Sequence, residues 1–313
     1  MDKLEPFDSL TPINYRLHLE PDLETFSFKA TAEIRLHAEA PIDRIVLNAC
    51  DLEVRGCRVR ADDTDTDCTF RLHPEKETLE IRLPGPVSET IHLTIDYSGE
   101  INNRMAGFYR SEYAGTHGPK YIAVTQFQES DARRAFPCMD HPLKKATFDV
   151  EMVIDENHVA LSNDAVSDQE RLGNGKQRIR FQQTPRMSTY LVFFGVGEFC
   201  IVEDPEDRRV RIVSLPGREP YTQFGLEFGR KALRFCEDYF DIPYPLGKMD
   251  LIAVPDFAFG AMENWGAITF RENLLLHYPE TTSKAGEERI CEVTAHEIVH
   301  QWFGNLVTPS DWK

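Results

Sequence analysis

The sequence predicts two parts in series, an antiparallel β domain over residues 1–203 and a mixed α/β lobe over residues 204–313. Three observations support this prediction. The chain has 313 residues, which is more than one hydrophobic core usually serves. Apolar and polar residues alternate with a period of two in the first part, as in half-buried antiparallel sheet. In the second part, apolar residues recur at helical spacing between short apolar runs.

The strands of the first part follow from the alternation of apolar and polar residues. Tyr15, Leu17 and Leu19, for example, alternate with polar residues, which predicts one buried and one solvated face. The same pattern predicts strands over residues 15–19, 26–36, 79–83 and 91–97. Sequences rich in turn residues, at 83–86 and 98–100, are expected to separate these strands.

The second part begins after an acidic, proline-containing stretch at 203–207, which we interpret as a link between domains. Strands are predicted over 210–215 and 249–254. Helices are predicted over 224–239, where the apolar residues share one face, and over 287–303. The order strand, helix, strand, helix predicts a mixed α/β lobe.

The composition excludes several classes of protein. Asp and Glu number 52 against 35 Lys and Arg, a net charge of −17, and this charge repels nucleic acid while it favours cationic ligands. No run of about 18 apolar residues is present to cross a membrane, and the N-terminus lacks the apolar core of a secretory signal. The seven cysteines are scattered without a C-x-x-C pair, which favours reduced thiols in the cytoplasm.

The sequence His296-Glu297-Ile298-Val299-His300 lies in the second predicted helix. Residues four apart share one helix face, so both imidazoles can reach one metal ion. Zinc accepts imidazole nitrogen at about 2.0–2.1 Å, and a catalytic zinc site needs a third protein ligand and a position for water. The glutamate between the histidines can take the proton of that water. An amphipathic helix with two packed or solvated histidines is the alternative interpretation of these five residues.

A second candidate site lies upstream, after the predicted strand 249–254. Gly260 and Ala261 would let another backbone approach, so that a peptide could add there as an extra strand. Glu263 offers a carboxylate that could hold a free amino terminus by a charge-assisted hydrogen bond. Taken alone, this stretch is better explained as a strand-edge turn with a solvated glutamate.

Three stretches occur together and in a defined order. They are T-Q-F-Q and D-A-R-R-A-F-P-C at 125–128 and 131–138, G-A-M-E-N-W-G at 260–266, and H-E-I-V-H-Q-W-F-G-N-L-V-T at 296–308. This combination closely resembles the aminopeptidase N family of zinc metallopeptidases, and the resemblance spans nearly the whole chain. It implies a saddle-like antiparallel β domain followed by the first lobe of a thermolysin-like peptidase domain.

The resemblance implies a role for individual residues of these stretches. His296 and His300 would bind one zinc ion, and Glu297 would be the general base that activates water. Glu263 would anchor the ammonium group of the substrate, and Gln128 would share that anchoring. The other substrate-binding residues that the resemblance implies are Gly260, Ala261, Met262 and Asn264. The implied partner is a peptide with a free amino terminus.

The resemblance also puts the third zinc ligand, a glutamate, beyond Lys313. We therefore expect an aminopeptidase whose N-terminal portion is this chain, which depends on the downstream part of the same polypeptide and is inactive alone. A non-catalytic relative that serves as a binding or scaffolding module is the alternative from another class. The presence of His296, Glu297, His300 and Glu263 favours the enzyme, since a retired active site has no need of all four. Epoxide hydrolysis, which one branch of the family performs at the same zinc, is a minor alternative.

Overall fold

The computed structural model describes residues 10–61, 64–116 and 118–312, which contain eighteen β-strands and two α-helices. The strands up to residue 203 are β1 (Leu10–Asp22), β2 (Ser27–Asn48), β3 (Leu52–Ala61), β4 (Thr64–Asp67), β5 (Thr69–His73), β6 (Thr78–Glu100), β7 (Gly107–Gly115), β8 (Gly118–Gln126), β9 (Thr147–Asp155), β10 (Val159–Ser162), β11 (Val166–Gly173), β12 (Lys176–Phe181), β13 (Phe194–Gly197) and β14 (Cys200–Glu203). The elements after it are β15 (Val210–Ser214), α1 (Gln223–Phe240), β16 (Met249–Val254), β17 (Ala261–Met262), β18 (Ala267–Arg271) and α2 (Lys284–His300).

The first part of the chain forms two sheets. The larger has nine strands in the order β11-β12-β9-β1-β2-β6-β3-β4, with β5 paired to β6. Its strand pairs are antiparallel except β1 with β9. The smaller sheet has the order β10-β13-β8-β7. Tyr15, Leu17 and Leu19 of β1 are all buried, which confirms the predicted period-two pattern of this strand.

Aromatic side chains join the two sheets. The ring of Phe28 on β2 contacts that of Phe108 on β7, with 5.5 Å between centroids. Phe108 in turn contacts Phe194 on β13 at 5.0 Å. All three rings are fully buried, and edge-on contacts of this kind stabilise beyond the area that they bury. The core of the β domain therefore lies between the two sheets.

The predicted break at 83–86 is wrong, because these residues remain inside the long strand Thr78–Glu100. Between Arg82 and Val87 the register with β2 shifts, so the segment forms an irregularity in a continuous ladder. At an irregularity a residue such as Pro84, which has no N–H, need not donate to the neighbouring strand. The prolines and glycine therefore mark a distortion of the strand instead of a turn.

The predicted break at 98–100 begins too early, because strand β6 ends only at Glu100. Gly99 pairs with Phe28 of β2, and the strand continues through it. A Cβ atom at residue 99 would lie 2.5 Å from the Phe28 ring. Glycine is needed here because the aromatic ring covers its backbone, and this reason for a glycine is invisible in the local sequence.

The second part forms a five-stranded sheet in the order β14-β15-β16-β18-β17 with two helices. The predicted strands 210–215 and 249–254 and the first predicted helix are present, and the predicted fold class is confirmed. The second helix begins earlier and ends earlier than predicted, at Lys284 and His300. Neither helix, in the ranges described above, has the length and apolar composition of a membrane span.

The acidic stretch 203–207, interpreted from the sequence as a link between domains, is a turn between two strands of one sheet. β14 and β15 pair antiparallel on either side of it. Asp204 accepts hydrogen bonds from the backbone N–H groups of Glu206 and Asp207, at 2.9 and 3.0 Å. Strand pairing thus groups residues 200–203 with the second part, and the division at residue 203 stays a prediction.

Candidate active site

Helix α2 carries the paired histidines. Ser283 begins the helix, since its hydroxyl accepts a hydrogen bond from the backbone N–H of Gly286 at 3.2 Å, as an N-cap should. Near the other end, Nε2 of His296 lies 3.0 Å from Nε2 of His300. The two ring planes are nearly perpendicular, at 84°. The predicted helix thus brings both imidazole nitrogens to one point on its surface.

The orientation of His300 is set by the turn that follows the helix. Nδ1 of His300 donates to the backbone carbonyl of Phe303, at 2.7 Å, which leaves the lone pair of Nε2 directed at His296. Gly304 has φ +135°, and a Cβ atom there would lie 3.0 Å from Nδ1 of His300. The glycine therefore allows the close turn that fixes the tautomer of His300.

The histidine pair fits one tetrahedral metal ion. With zinc–nitrogen bonds of about 2.0–2.1 Å, two imidazole nitrogens on one zinc would be about 3.3 Å apart, close to the 3.0 Å found here. Burial, followed by the nearby His300, lowers the pKa of His296, which favours the neutral form that binds metals. Among the described residues, no group of three His, Cys, Asp or Glu is arranged around a common ion position. Two of the expected ligands are therefore present together.

Glu297 is the buried acid of the site. Its side chain is 5% exposed, and its Oε2 has no hydrogen-bond partner among the described residues. Burial, and then the charge of Glu263, raises the pKa of Glu297 to about 8. A carboxyl group with such a pKa can both hold and release a proton near neutral pH.

Glu263 follows the edge strand β17 and is buried. Its backbone carbonyl accepts hydrogen bonds from Nδ2 of Asn305 at 2.9 Å and from Nε2 of Gln301 at 3.4 Å. Gln301 also donates to the carbonyl of Glu297 at 3.0 Å and accepts from the N–H of Gly266 at 3.3 Å. Sequence reasoning missed Gln301, because a buried amide is revealed only by its tertiary partners.

The β domain holds the loop that contains Glu263 at both ends. On the N-terminal side of the loop, Oγ of Ser111 donates a hydrogen bond to the carboxylate of Asp256 at 3.1 Å. The same Oγ accepts a hydrogen bond from the backbone N–H of Asp256 at 2.9 Å. After the loop, Nδ2 of Asn163 donates to the carbonyl of Trp265 at 2.8 Å. Gly266 has φ +75°, and a Cβ atom there would lie 2.1 Å from the carbonyl oxygen of Asn163. The loop position therefore depends on both parts of the chain.

Comparison with known families decides the family of this chain. Residues 11–191 match the model described as the peptidase M1 N-terminal domain, and residues 224–313 match that of the peptidase family M1 domain. The chain belongs to the peptidase M1 family. The predicted resemblance to aminopeptidases of the aminopeptidase N type is thereby confirmed.

Individual relatives of this M1 chain are named aminopeptidases. Aminopeptidase M1-C of Oryza sativa subsp. japonica is 41% identical over 96% of this chain and 34% of the relative. Puromycin-sensitive aminopeptidase of Caenorhabditis elegans is 38% identical over 96% of this chain and 32% of the relative. Alanine/arginine aminopeptidase of Saccharomyces cerevisiae is 40% identical over 98% of this chain and 36% of the relative. The chain spans about a third of the length of these curated relatives.

The other predicted substrate-binding residues of this M1 chain lie around the same loop. Gln128 and Phe259 both line an open cavity of about 610 Å³, so the segment of Gln128 faces the stem of the Glu263 loop. Met262 and Asn264 are buried. Nδ2 of Asn264 donates to the carbonyl of Ala267 and to the Thr269 hydroxyl, both at 3.3 Å, which holds the turn. Gly260 accepts a backbone hydrogen bond from Arg271 at 2.9 Å, and Ala261 pairs with Phe270.

Gln126 is a further polar residue that sequence reasoning missed. It ends strand β8, two positions before Gln128, and is buried. Neither its Nε2 nor its Oε1 has a partner among the described residues. Buried polar groups are normally paired, so the unpaired amide of Gln126 is consistent with a ligand-binding position. Residues 122–126 of β8 are all buried, so no alternation in the sequence singles out Gln126, and only the structure reveals that its amide is unpaired.

Proposed function

We propose that this chain belongs to a zinc aminopeptidase, an enzyme that releases the first residue of a peptide. The observation that carries the proposal is the pair of Nε2 atoms of His296 and His300, 3.0 Å apart beside the buried carboxyl of Glu297. Membership of the M1 family supports the same reaction class. A cytoplasmic location is part of the proposal, supported by seven scattered cysteines.

His296 and His300 would hold the zinc ion through their Nε2 atoms. The zinc, when bound, would polarise the scissile carbonyl and acidify a water molecule. We propose that the third ligand comes from the downstream part of the same polypeptide, because the described residues offer no third donor at this position. The 313-residue chain is therefore expected to be inactive by itself.

Glu297 would act as the general base. In the metal-free site the raised pKa keeps this carboxyl protonated at neutral pH. Glu297 becomes a carboxylate once a cation occupies the histidine pair, because a nearby opposite charge lowers the pKa of a carboxyl group. Its Oε2, which has no partner among the described residues, can then accept a proton from the attacking water and pass it to the leaving amine.

Glu263 would anchor the substrate's ammonium group, with Gln128 as a second contact. The backbone of Glu263 is fixed by two side-chain amides, so the position from which its carboxylate extends is fixed as well. A substrate held by its ammonium group at this point would present only its first peptide bond to Glu297. This geometry supports release of single residues from the amino terminus.

The peptide backbone would lie along β17. This strand is the last of its sheet and pairs on one side with β18, so in the part of the chain that the structure describes its other edge is open to an added strand. Gly260 and Ala261 have small or no side chains, which permits close backbone approach. Met262 and Asn264, whose side chains are buried, would contribute through their backbone.

The state of Glu297 also favours an enzyme over a non-catalytic module. A buried carboxyl oxygen without a hydrogen-bond partner destabilises the folded protein, and apolar or paired residues would remove that penalty. Glu297 keeps such an oxygen directly beside two candidate metal ligands. A binding or scaffolding module would gain nothing from this arrangement.

The proposal is tested with the polypeptide translated from the complete reading frame that encodes these residues. It should hydrolyse unblocked aminoacyl-p-nitroanilides and leave N-acetylated ones intact, and the 313-residue chain alone should hydrolyse neither. Glu297→Gln should abolish the activity, whereas His277→Gln, which changes a histidine paired with Glu287, should retain it. Equal cleavage of blocked and unblocked substrates, or full activity of Glu297→Gln, would overturn the proposal.

A further inference from the structure

The cysteines Cys57 and Cys68 face each other across two paired strands, away from the candidate active site. In the β3–β4 pair Arg58 lies opposite Asp67, so the next position along the same register sets Cys57 opposite Cys68. The backbone N–H of Cys68 donates to the carbonyl of Cys57 at 2.8 Å. Directly opposed residues of antiparallel strands direct their side chains to the same face of the sheet. The two thiols therefore share one face.

The spacing of such a pair suits a disulfide. Opposed Cα atoms in antiparallel sheet lie about 4.5–5.5 Å apart, and disulfides bridge Cα atoms about 4.4–6.8 Å apart. The charge of Cys68 is, after burial, the second cause that raises the pKa of Cys57 to about 12, which fits thiols that lie close together. Both cysteines are free in the structure.

We propose that Cys57 and Cys68 form a reversible disulfide by exchange with a small-molecule disulfide such as oxidised glutathione. The bond would close the β3–β4 hairpin at the edge of the nine-stranded sheet. No other two of the seven cysteines, all of which lie in the described ranges, face each other across paired strands. The inference is independent of the proposed peptidase function.

The order of the two exchange steps follows from exposure. Cys68 is 8% exposed and Cys57 is 2% exposed. Burial raises the pKa of both thiols, and a hydrogen bond from the backbone N–H of Val59 partly offsets this rise at Cys68. Cys68 therefore attacks first, forming a mixed disulfide and releasing one small-molecule thiol. Cys57 then displaces the second thiol and forms the bond between the two cysteines. The protein loses two protons and two electrons, and the electrons reduce the small-molecule disulfide to two thiols.

Access to the thiols comes from the position of β4. This strand is the last in the sheet, and all four of its residues are exposed. Edge hairpins open locally at lower free energy than the global unfolding, so a buried thiol in one becomes reachable without unfolding of the chain. Once formed, the disulfide holds the two strands together.

The experiment equilibrates the native 313-residue chain with a series of reduced and oxidised glutathione ratios, in buffer and in unfolding urea. Free thiols are then alkylated, counted by intact mass and located by peptide mapping. We expect the loss of two free thiols, mapped to Cys57 and Cys68. We also expect an equilibrium constant for the disulfide at least about tenfold larger in the folded chain than in urea, because the fold preorganises the pair.

Matched variants separate the steps. Cys57→Ser should stop at a mixed disulfide of glutathione with Cys68, and Cys68→Ser should leave Cys57 unmodified. Cys236→Ser, which removes a buried thiol of helix α1, should retain the disulfide. The proposal is overturned if Cys57 and Cys68 can still be alkylated at every glutathione ratio. This includes samples in a low concentration of urea, which speeds thiol exchange without unfolding the chain. It is equally overturned if the bond maps to other cysteines or forms no more readily in the folded chain than in urea.

Discussion

The carboxyl group of Glu263 lies close to that of Glu297, and its charge adds to burial in raising the pKa of Glu297 to about 8. The backbone carbonyls of both residues accept hydrogen bonds from the side chain of Gln301. One buried amide thus holds the strand-edge loop against the helix that carries the paired histidines. The two acids form one electrostatic unit, although they are far apart in sequence.

Removal of the Glu263 charge should shift the titration of Glu297. In Glu263→Gln, we expect the pKa of Glu297 to fall below about 8 but to stay above its usual value, because burial is the larger cause. Carbon-13 NMR titration of the metal-free chain measures this pKa directly. Glu272→Gln is the matched control, because the carboxylate of Glu272 accepts hydrogen bonds from Arg218 and Tyr278 and is not among the causes of the raised pKa of Glu297. An unchanged titration in Glu263→Gln would contradict the coupling.

The stability of the metal-free chain should depend on pH through Glu297. Its folded pKa, about 8, exceeds its usual value of 4.5, so between these values the folded state binds more protons than the unfolded state. The unfolding free energy should therefore fall as pH rises through this range. Glu297→Gln should remove this loss and raise the unfolding free energy at about pH 8 by on the order of 2 kcal/mol. Urea unfolding measured across this pH range tests the prediction. Identical pH profiles of the unfolding free energy for variant and wild type would show that Glu297 does not cause the pH dependence.

Gln301→Leu should destabilise the chain. The substitution leaves the N–H of Gly266 without its partner and removes the hydrogen bonds from Gln301 to the carbonyls of Glu263 and Glu297. The carbonyl of Glu263 keeps the hydrogen bond from Asn305. Unpaired buried groups of this kind typically destabilise by about 1–3 kcal/mol. Gln223→Leu, at the exposed first position of α1, should change the unfolding free energy by no more than about 0.5 kcal/mol. Equal effects of the two substitutions in urea unfolding would show that Gln301 does not hold the loop.

An exposed aromatic patch on α1 should cause self-association. Phe235 and Tyr239 stack with 5.8 Å between ring centroids while 65% and 71% exposed, and exposed apolar patches favour association. We expect concentration-dependent sedimentation at micromolar concentration, reduced in the double variant Phe235→Ser, Tyr239→Ser. Leu143→Ser is the control, because Leu143 is also exposed but lies in the β domain. A clean monomer for the wild-type chain would refute this prediction.

The sequence was sufficient for elements whose pattern is local. The alternation of Tyr15, Leu17 and Leu19 predicts β1 because burial on one face needs only the period of a strand. The predicted strand breaks at 83–86 and 98–100 were misplaced, because the glycines and prolines there depend on contacts with neighbouring strands. Gly99 is required by the Phe28 ring of a neighbouring strand, and local rules interpret the same residue as a turn.

The candidate site was predicted as separate motifs, and their connection required the structure. The spacing of His296 and His300 alone predicts one shared face, because helix geometry fixes it. Gln301 was missed, since the importance of a buried amide depends on which backbone groups surround it, and these belong to distant segments. Gln126 was missed because only the structure shows that its buried amide has no partner among the described residues. The acidic stretch at 203–207 forms a turn in which the carboxylate of Asp204 accepts hydrogen bonds from two backbone N–H groups. Composition alone does not reveal these hydrogen bonds.

The central claim, that His296 and His300 form one metal site, is tested most directly by zinc titration of the metal-free chain with calorimetry. The account predicts one zinc ion per chain, bound more weakly than in a three-ligand site. His296→Ala and His300→Ala should each weaken binding at least about tenfold, whereas His277→Ala should bind as the wild type does. Zinc binding that is the same in all three variants would contradict the account.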